Sequence, residues 1–383
     1  MFAYIYTLLL AIIYIFTAPF LLILSLKKKS ILDRFFLYKN PPLKRDKIHF
    51  HACSLGETLS LRPFIESFLS VNLTVVTDTA FEIAKKYKNV DIRFLPFEIF
   101  LWFWLKPQKV LVVAEAELWY LLFYISKKNR AKTFLINARI SDKSYEKYLK
   151  FKWFYKKVFE NIDYIFAQTV IDKKRLQSLG AKSVEVVGNI KLAQKIEVTK
   201  KYKKPSKRLI VAASTHDPEE EIIFTAWLKN SKDSVLAIAP RHPQRFDEVD
   251  ELLSFRCKME GLSYHKFSKK RDFEADVVLI DKIGELVNIY SICDLVILGG
   301  SFVNVGGHNP LEPAFFNKPI ISGKSIFNQK ESYSYVEGIE LIDANELENI
   351  LKSQNLKTTK IIAKADIKKI LDKIKEAYGV VRD

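Results

Sequence analysis

The chain has 383 residues, 49% of them hydrophobic and 27% charged, which excludes disorder and exceeds what one ordinary core accommodates. Its formal charge is +17, from 61 basic against 44 acidic residues, so it attracts anionic partners: membrane surfaces, phosphorylated lipids or nucleic acid. Three widely spaced cysteines, Cys53, Cys257 and Cys293, give neither a disulfide framework nor zinc spacing and suit a reducing cytoplasm.

Residues Phe2 to Leu26 carry no charge and are almost wholly apolar. About 25 such residues suffice to cross a ~30 Å hydrocarbon core. No side-chain positive charge precedes them, unlike a cleaved signal peptide, and Lys27, Lys28 and Lys29 follow, which places the remainder on the cytoplasmic side. Pro19 is expected to kink the helix. Residues 1–29 are therefore expected to be a single-pass N-terminal anchor, with a monotopic hairpin or a buried helix as the alternative.

Residues 30–199 read as an α/β domain. Strand candidates fall at 48–52, 73–77, 110–114, 131–137, 164–167 and 183–187, separated by helical stretches such as 79–88 and 171–179. Residues 200–207, polar, basic and with Pro205, read as a linker. A second alternating series occupies 208–383, with strand candidates at 209–213, 235–239, 277–280, 295–298 and 319–321. The final segment, Asp366 to Tyr378, has helical periodicity and is assigned to this second domain. Strands alternating with helices mean parallel sheets, and two such domains form a cleft between their carboxyl edges, where open sheets bind ligands.

Polar groups recur at those edges. His51-Ala52-Cys53-Ser54-Leu55-Gly56-Glu57 follows the first strand, with Glu57 opening a helix whose dipole favours a carboxylate; a solvent-facing helix-start glutamate is the plain alternative. Glu115 and Glu117 follow the strand at 110–114, where they orient an acceptor hydroxyl or pair with a cation such as Arg139. Asn137, Arg139 and Ser141 end the next strand, and Gly188-Asn189-Ile190-Lys191 closes the domain, with Lys191 expected as an anion contact or, equally, a solvated lysine. In the second domain, Ser214, Thr215 and His216 end one strand, positioned to donate to a phosphate or cap a helix. Pro240, Arg241 and His242 end another, with Arg245 shortly after. Gly299-Gly300-Ser301 and Gly306-Gly307-His308-Asn309-Pro310-Leu311-Glu312 follow a third; amides near Gly300 and Gly306 are expected to approach an anion, and Glu312 to meet a sugar hydroxyl. The six histidines form no ligand pair at helical spacing and no Asp-x-Asp ends a strand, so no metal is expected. Neither a P-loop nor a serine nucleophile elbow is present. Aromatic and lysine residues mixed at 97–104 and 143–159 suit a surface at lipid-headgroup depth, where they meet anionic lipid rather than nucleic acid.

In this order, His51-Ala-x-Ser-x-Gly-Glu57, Glu115-x-Glu-Leu-Trp119, Asn137-Ala-Arg-x-Ser141, Gly188-Asn-x-Lys191, Ser214-Thr-His216, Pro240-Arg-His242 and Gly299-Gly-Ser through Glu312 resemble the 3-deoxy-D-manno-oct-2-ulosonic acid (Kdo) transferases of lipopolysaccharide assembly. The resemblance implies a glycosyltransferase B-type fold of two Rossmann-like domains. The N-terminal domain would bind a lipid A precursor (lipid IVA) and the C-terminal one CMP-Kdo, a co-substrate, with no cofactor. It implies metal-independent, inverting transfer at the inner face of the cell inner membrane, with Glu57 as general base, Glu115 also implicated in catalysis and Glu312 on the nucleotide ribose. Tyr120, where a proline often stands, and Cys53, at a usually small apolar position, are departures. A membrane-associated transferase using a UDP-sugar, and a non-catalytic binder of nucleic acid or anionic lipid, are the rival expectations.

Overall fold

The computed structural model describes residues 1–26, 28–193, 196–230, 233–353 and 355–379, so Lys27 of the expected lysine run lies outside the described residues. The chain forms two compact units, Met1–Gln194 with Lys364–Asp383, and Lys195–Ala363.

In the first unit seven parallel strands, β1 (Ile48–Ala52), β2 (Val71–Val75), β3 (Val90–Phe94), β4 (Val110–Ala114), β5 (Lys132–Ala138), β6 (Tyr164–Ala167) and β7 (Val184–Val186), lie in the order β3-β2-β1-β4-β5-β6-β7. Side chains alternate between two helix-covered faces: Leu111, Val113 and Leu135 enter one core, and Val110, Val112, Phe134 and Ile136 the other. The second unit repeats the design. Its strands β8 (Leu209–Thr215), β9 (Val235–Pro240), β10 (Tyr264–Lys266), β11 (Val277–Leu279), β12 (Leu295–Leu298) and β13 (Ile320–Gly323) are followed by β14 (Val336–Glu337), β15 (Ile339–Ile342) and β16 (Lys360–Ile361). The main sheet runs β10-β11-β9-β8-β12-β13-β15, and β14 pairs antiparallel with β16. In each sheet the strand order reverses beside the first strand, between β1 and β4 and between β8 and β12. The crevice beyond the carboxyl ends of such a pair is where doubly wound sheets hold ligands.

Several expected boundaries move. The strand expected at 73–77 is β2, because Thr77 leaves the sheet to cap the helix Asp78–Ala84. Residues 200–207, expected as a linker, belong to the second unit. There Lys200 and Tyr202 bind Glu285 at 2.5 and 2.8 Å, and Lys204 pairs with Asp294. The final helix, Ile367–Tyr378, assigned to the second domain by sequence, instead packs on the first, with Ile370 and Ile374 fully buried in its core. That helix is amphipathic, and periodicity alone does not name the core that takes its apolar face.

The apolar segment forms one helix, Phe2–Ser25, with Pro19 inside it. It has the length to cross a membrane, and its apolar surface is largely outward-facing. It is not detached from the first unit. Phe2 and Tyr6 meet the Tyr120 ring edge-on at 5.0 and 5.2 Å, and Tyr4 stacks on Trp102. Tyr14 abuts Phe97 and Phe100. The Tyr6 hydroxyl donates to Glu98 at 2.7 Å, Tyr14 to the Phe35 carbonyl at 2.6 Å, and Trp102 Nε1 to Thr7 at 2.9 Å. Much of the aromatic surface expected at headgroup depth is thus the platform for this helix. Phe103, Phe151 and Trp153 stay exposed.

Burial pushes the Glu98 carboxyl up to about 7, against the opposing pull of the Tyr6 hydroxyl and the Leu121 amide. A carboxyl with a raised folded-state value stabilises most below its unfolded value, and loses that contribution as pH rises toward 7. The thermal midpoint of the wild type relative to Glu98→Gln should therefore fall between pH 5 and pH 8, by roughly 2–4 °C per kcal/mol lost. A difference that stays constant across that range would contradict the assignment.

Candidate functional site

At the β1–β4 reversal, Ser54 ends the turn after β1 and caps the helix Leu55–Ile65, accepting from the Glu57 amide. The Glu57 carboxylate returns to the turn: Cys53 N–H donates to one oxygen at 2.8 Å and Ser54 Oγ to the other at 2.7 Å. The two-way closure is a capping-box arrangement, so the rotamer of Glu57 is fixed. Burial raises its pKa, the Cys53 and Ser54 hydrogen bonds oppose this, and the charges of Glu115 and Glu117 raise it further. A Cβ on Gly56 meets no atom within 4 Å, so packing does not demand glycine beside Glu57.

Glu115, directly after β4, has φ +57°, a left-handed conformation that bulky side chains avoid and that recurs at functional sites. Lys191 Nζ holds its carboxylate at 2.5 Å, which turns the expected anion-contacting lysine into an ion-pair partner. Glu117 accepts from Trp119 Nε1 at 2.9 Å. Asn137 sits at a register irregularity between β5 and β6, also left-handed at φ +55°. It is buried, and its Oδ1 accepts from the Ile190 amide at 3.0 Å while Nδ2 reaches Glu115 at 3.5 Å. These contacts join three of the expected motifs into one polar cluster. Asn189 turns inward on the Lys191 amide, Ser141 caps the helix Asp142–Lys150, and the Arg139 side chain is exposed.

At the β8–β12 reversal, sequence reasoning missed the central residue. Glu219, fully buried at the start of the helix Glu219–Asn230, accepts four backbone amides. His216 and Gly300 donate to one oxygen at 2.9 and 2.7 Å, Ser301 and Phe302 to the other at 3.1 and 2.9 Å. The Gly300 and Ser301 amides, expected to face an anion, are therefore taken by a carboxylate of the protein. A Cβ at Gly299 would lie 2.9 Å from that carboxylate and 2.6 Å from the Ser214 carbonyl, which is why glycine stands there. Thr215 Oγ1 donates to Glu220 at 2.7 Å, and Arg245 clamps the same carboxylate at 2.7 and 3.2 Å, so both are engaged with an acid of the same unit. The Ser301 hydroxyl is likewise internal, bound to Leu298 O and Gly323 N–H. Three consecutive acids, Glu219 to Glu221, opening a helix right after the Ser214-Thr215-His216 strand end were the available signal.

Other expected residues converge on a cavity of about 240 Å³ in the second unit. Ser214, Pro240, Arg241 and Glu312 line it, together with Ile280 and Gly284. Ser214 is left-handed (φ +57°) at a register irregularity between β8 and β9, so its side chain leaves the sheet alternation. Burial raises the Glu312 pKa, and Arg241 pulls it back. Pro310 precedes only a short helix, Leu311–Phe315, whose first amide is bound by Asn309 Oδ1. His216 and His308 stack with their Nε2 atoms 2.9 Å apart, and His242 meets His216 edge-on at 5.3 Å. Burial lowers both stacked histidines, helped by repulsion from His242 on His216 and from His216 on His308, which falls to about 4, so the pair is neutral near pH 7. Gly306 (φ +102°) and Gly307 (φ +77°) turn the chain above the pair, and Gly307 N–H binds Gly300 O at 2.7 Å. A larger cavity, about 550 Å³, lies at the opposite edge around Lys204, Lys207 and Arg208, where Lys204 and Lys207 are paired with Asp294 and Asp276.

Two doubly wound parallel sheets of this order, with polar groups gathered at both strand-order reversals, make this a protein of the glycosyltransferase B type. A putative UDP-N-acetylglucosamine 2-epimerase from Listeria monocytogenes has a similar fold, with a TM-score of 0.54 over 88% of this chain and 98% of that one at 14% identity. The model of the 3-deoxy-D-manno-octulosonic-acid transferase (kdotransferase) family matches residues 29–194. The 3-deoxy-D-manno-octulosonic acid transferase of Haemophilus influenzae is 32% identical over 87% of this chain and 84% of its own length. A bifunctional glycosyltransferase/methyltransferase of Fusobacterium nucleatum is 34% identical over 78% of this chain, which spans half of that relative. The chain belongs to the 3-deoxy-D-manno-octulosonic acid transferase family, a family of glycosyltransferase enzymes.

Glu219→Gln would aim an NH2 group at two amide donors, leaving them buried without acceptors. The expected cost is at least about 3 kcal/mol, read as a lowered midpoint of the transition that unfolds the second unit. An unchanged midpoint would show that the four amides find other partners.

Proposed function

We propose that the chain is an inverting glycosyltransferase that moves Kdo from CMP-Kdo to a lipid A precursor of the lipid IVA type, without a metal in the transfer. The observation that carries this is Glu57: a carboxylate fixed by its own helix cap, with a raised pKa and open space at Gly56 beside it. The acceptor hydroxyl gives its proton to Glu57 as its oxygen bonds to the anomeric carbon, and the bond from that carbon to the CMP phosphate oxygen breaks on the opposite face. The configuration inverts in this single displacement, through an oxocarbenium-like state. A base whose pKa lies nearer the working pH accepts the proton more readily.

In the second unit, Arg241 and the Ser214 hydroxyl are assigned to the departing phosphate and Glu312 to the ribose, since all three line one cavity. The neutral His216–His308 pair supplies hydrogen bonding rather than charge. One phosphate leaves with CMP, so a single guanidinium serves where a diphosphate would call for more charge. Glu115 and its Lys191 partner are assigned to orienting the acceptor. The outward apolar face of Phe2–Ser25, with Phe103, Phe151 and Trp153 exposed on the same unit, supports attachment at the inner face of the cell inner membrane, where the excess positive charge meets anionic lipid.

Purified protein incubated with CMP-Kdo and a tetraacyl lipid A precursor should yield a lipid heavier by one or more Kdo units in the mass spectrum. Recovery of unmodified lipid under conditions where CMP binds would reject the acceptor, and stronger competition by UDP than by CMP would reject the donor. Glu57→Ala should lower transfer by 10²–10⁴-fold or more while CMP affinity survives. Because the base works ionised and its pKa is raised, wild-type kcat/KM should fall as pH drops, with a midpoint above the ordinary carboxyl value.

A further inference from the structure

Cys53 was a departure from the family pattern, and the transfer chemistry above gives it no task. Its surroundings give it one. His51 is buried at the end of β1, and its Nδ1 lies 3.2 Å from the Thr74 carbonyl and 2.9 Å from Thr74 Oγ1. A proton on Nδ1 satisfies that carbonyl and leaves the Nε2 lone pair facing Cys53 Sγ, 3.6 Å away. Glu117, from the turn after β4, completes the group, with one ligand atom from each residue lying within 4.8 Å of the others. Its other contact, from Trp119 Nε1, orients the carboxylate.

We propose that His51 Nε2, Cys53 Sγ and the Glu117 carboxylate form a binding site for a zinc-class divalent cation, which clips the turn after β1 to the turn after β4. Imidazole, thiolate and carboxylate are the three donor types that such an ion takes. Tetrahedral bonds of ~2.05 Å to nitrogen and ~2.3 Å to sulfur separate those atoms by ~3.6 Å, close to the spacing found between His51 and Cys53. The outer contacts match as well: ligating histidines donate their other ring nitrogen to a carbonyl, as the Nδ1–H tautomer of His51 would to Thr74, and ligating carboxylates are themselves hydrogen-bonded. Cys53 is half-buried, and desolvation with the nearby Glu117 charge raises its thiol pKa, so it is protonated without metal. Binding therefore forms a metal–sulfur bond and releases the thiol proton to solvent. All three ligands belong to the first unit, whereas the groups assigned to the CMP phosphate belong to the second.

Untagged full-length protein in detergent, stripped with chelator, should be titrated with Co2+ alone. The expected result is one equivalent bound with thiolate-to-cobalt charge-transfer absorbance, and a thermal midpoint raised by several degrees when Zn2+ replaces Co2+ in excess. Cys53→Ala should abolish the absorbance and weaken binding at least about tenfold. Glu117→Gln should keep the absorbance and weaken binding, by about 10–100-fold on the scale of lost ligand support. Should Cys53→Ala fail to fold, Cys53→Ser makes the same test. Absence of the absorbance in wild type, its persistence without Cys53, or unchanged affinity in Glu117→Gln would each overturn the proposal. None of these readouts requires transfer activity, so they fail or succeed independently of the assigned reaction.

Discussion

A parallel strand covered by helices on both faces has little room for an unpartnered polar group, because water reaches neither side of it. Both units obey this constraint: most of the inner strands β1, β4, β8, β9 and β12 are apolar and buried throughout. The buried polar groups of β1 and β2 are bonded on one side, His49 and His51 with Thr74 across the sheet and Asn72 with Gln108 and the Lys44 carbonyl at its amino edge, while His49 Nδ1 and Asn72 Oδ1 have no partner among the described residues. Chemistry is left to the turns beyond the carboxyl ends. The two strand-order reversals decide which turns have room for a ligand.

The two units meet this constraint differently. In the first, the carboxylates stay near one another: Glu57 is held by its own turn, Glu115 by Lys191 and Asn137, and Glu117 by Trp119. The cost of proximity is visible in the raised pKa of Glu57, set first by burial and then by its acidic neighbours. In the second unit a carboxylate becomes part of the scaffold. Glu219 gathers amides from the turn after β8 and the glycine turn after β12, so the two turns behave as one rigid piece. An anion supplied by the protein fills the nest, and the open cavity forms to one side of it, around Arg241 and Glu312.

The alternation of elements was legible because buried parallel strands are short apolar runs, and β1, β4, β6 and β12 fall where such runs stand. β3 was not, since Val90–Phe94 alternates with Asp91 and Arg93 at a sheet edge, where charge is tolerated. The strand-end motifs located the polar edges of both sheets, yet motifs do not reveal which group satisfies which. Ser214, Arg241 and Glu312 share a cavity although 98 residues separate the first from the last, while Thr215, next to Ser214, and Gly300 and Ser301, in the same motif as Glu312, are absorbed into internal bonds. Those partners, Glu219 and Glu220, looked like ordinary acidic residues in a first helical turn. Only tertiary geometry separates a helix-capping acid from a keystone.

The aromatic docking of Phe2–Ser25 bears on how the first unit sits against whatever covers that helix. A helix riveted to its own globule by Tyr6, Tyr14 and Trp102 is no slack leash. Whatever medium takes up the outer side of the helix draws the flank carrying Trp153, 6.1 Å from Phe2, down with it. Height and tilt of the unit above that medium are then dictated by stacked rings, which would spare the acceptor proposed above a long passage out of its layer.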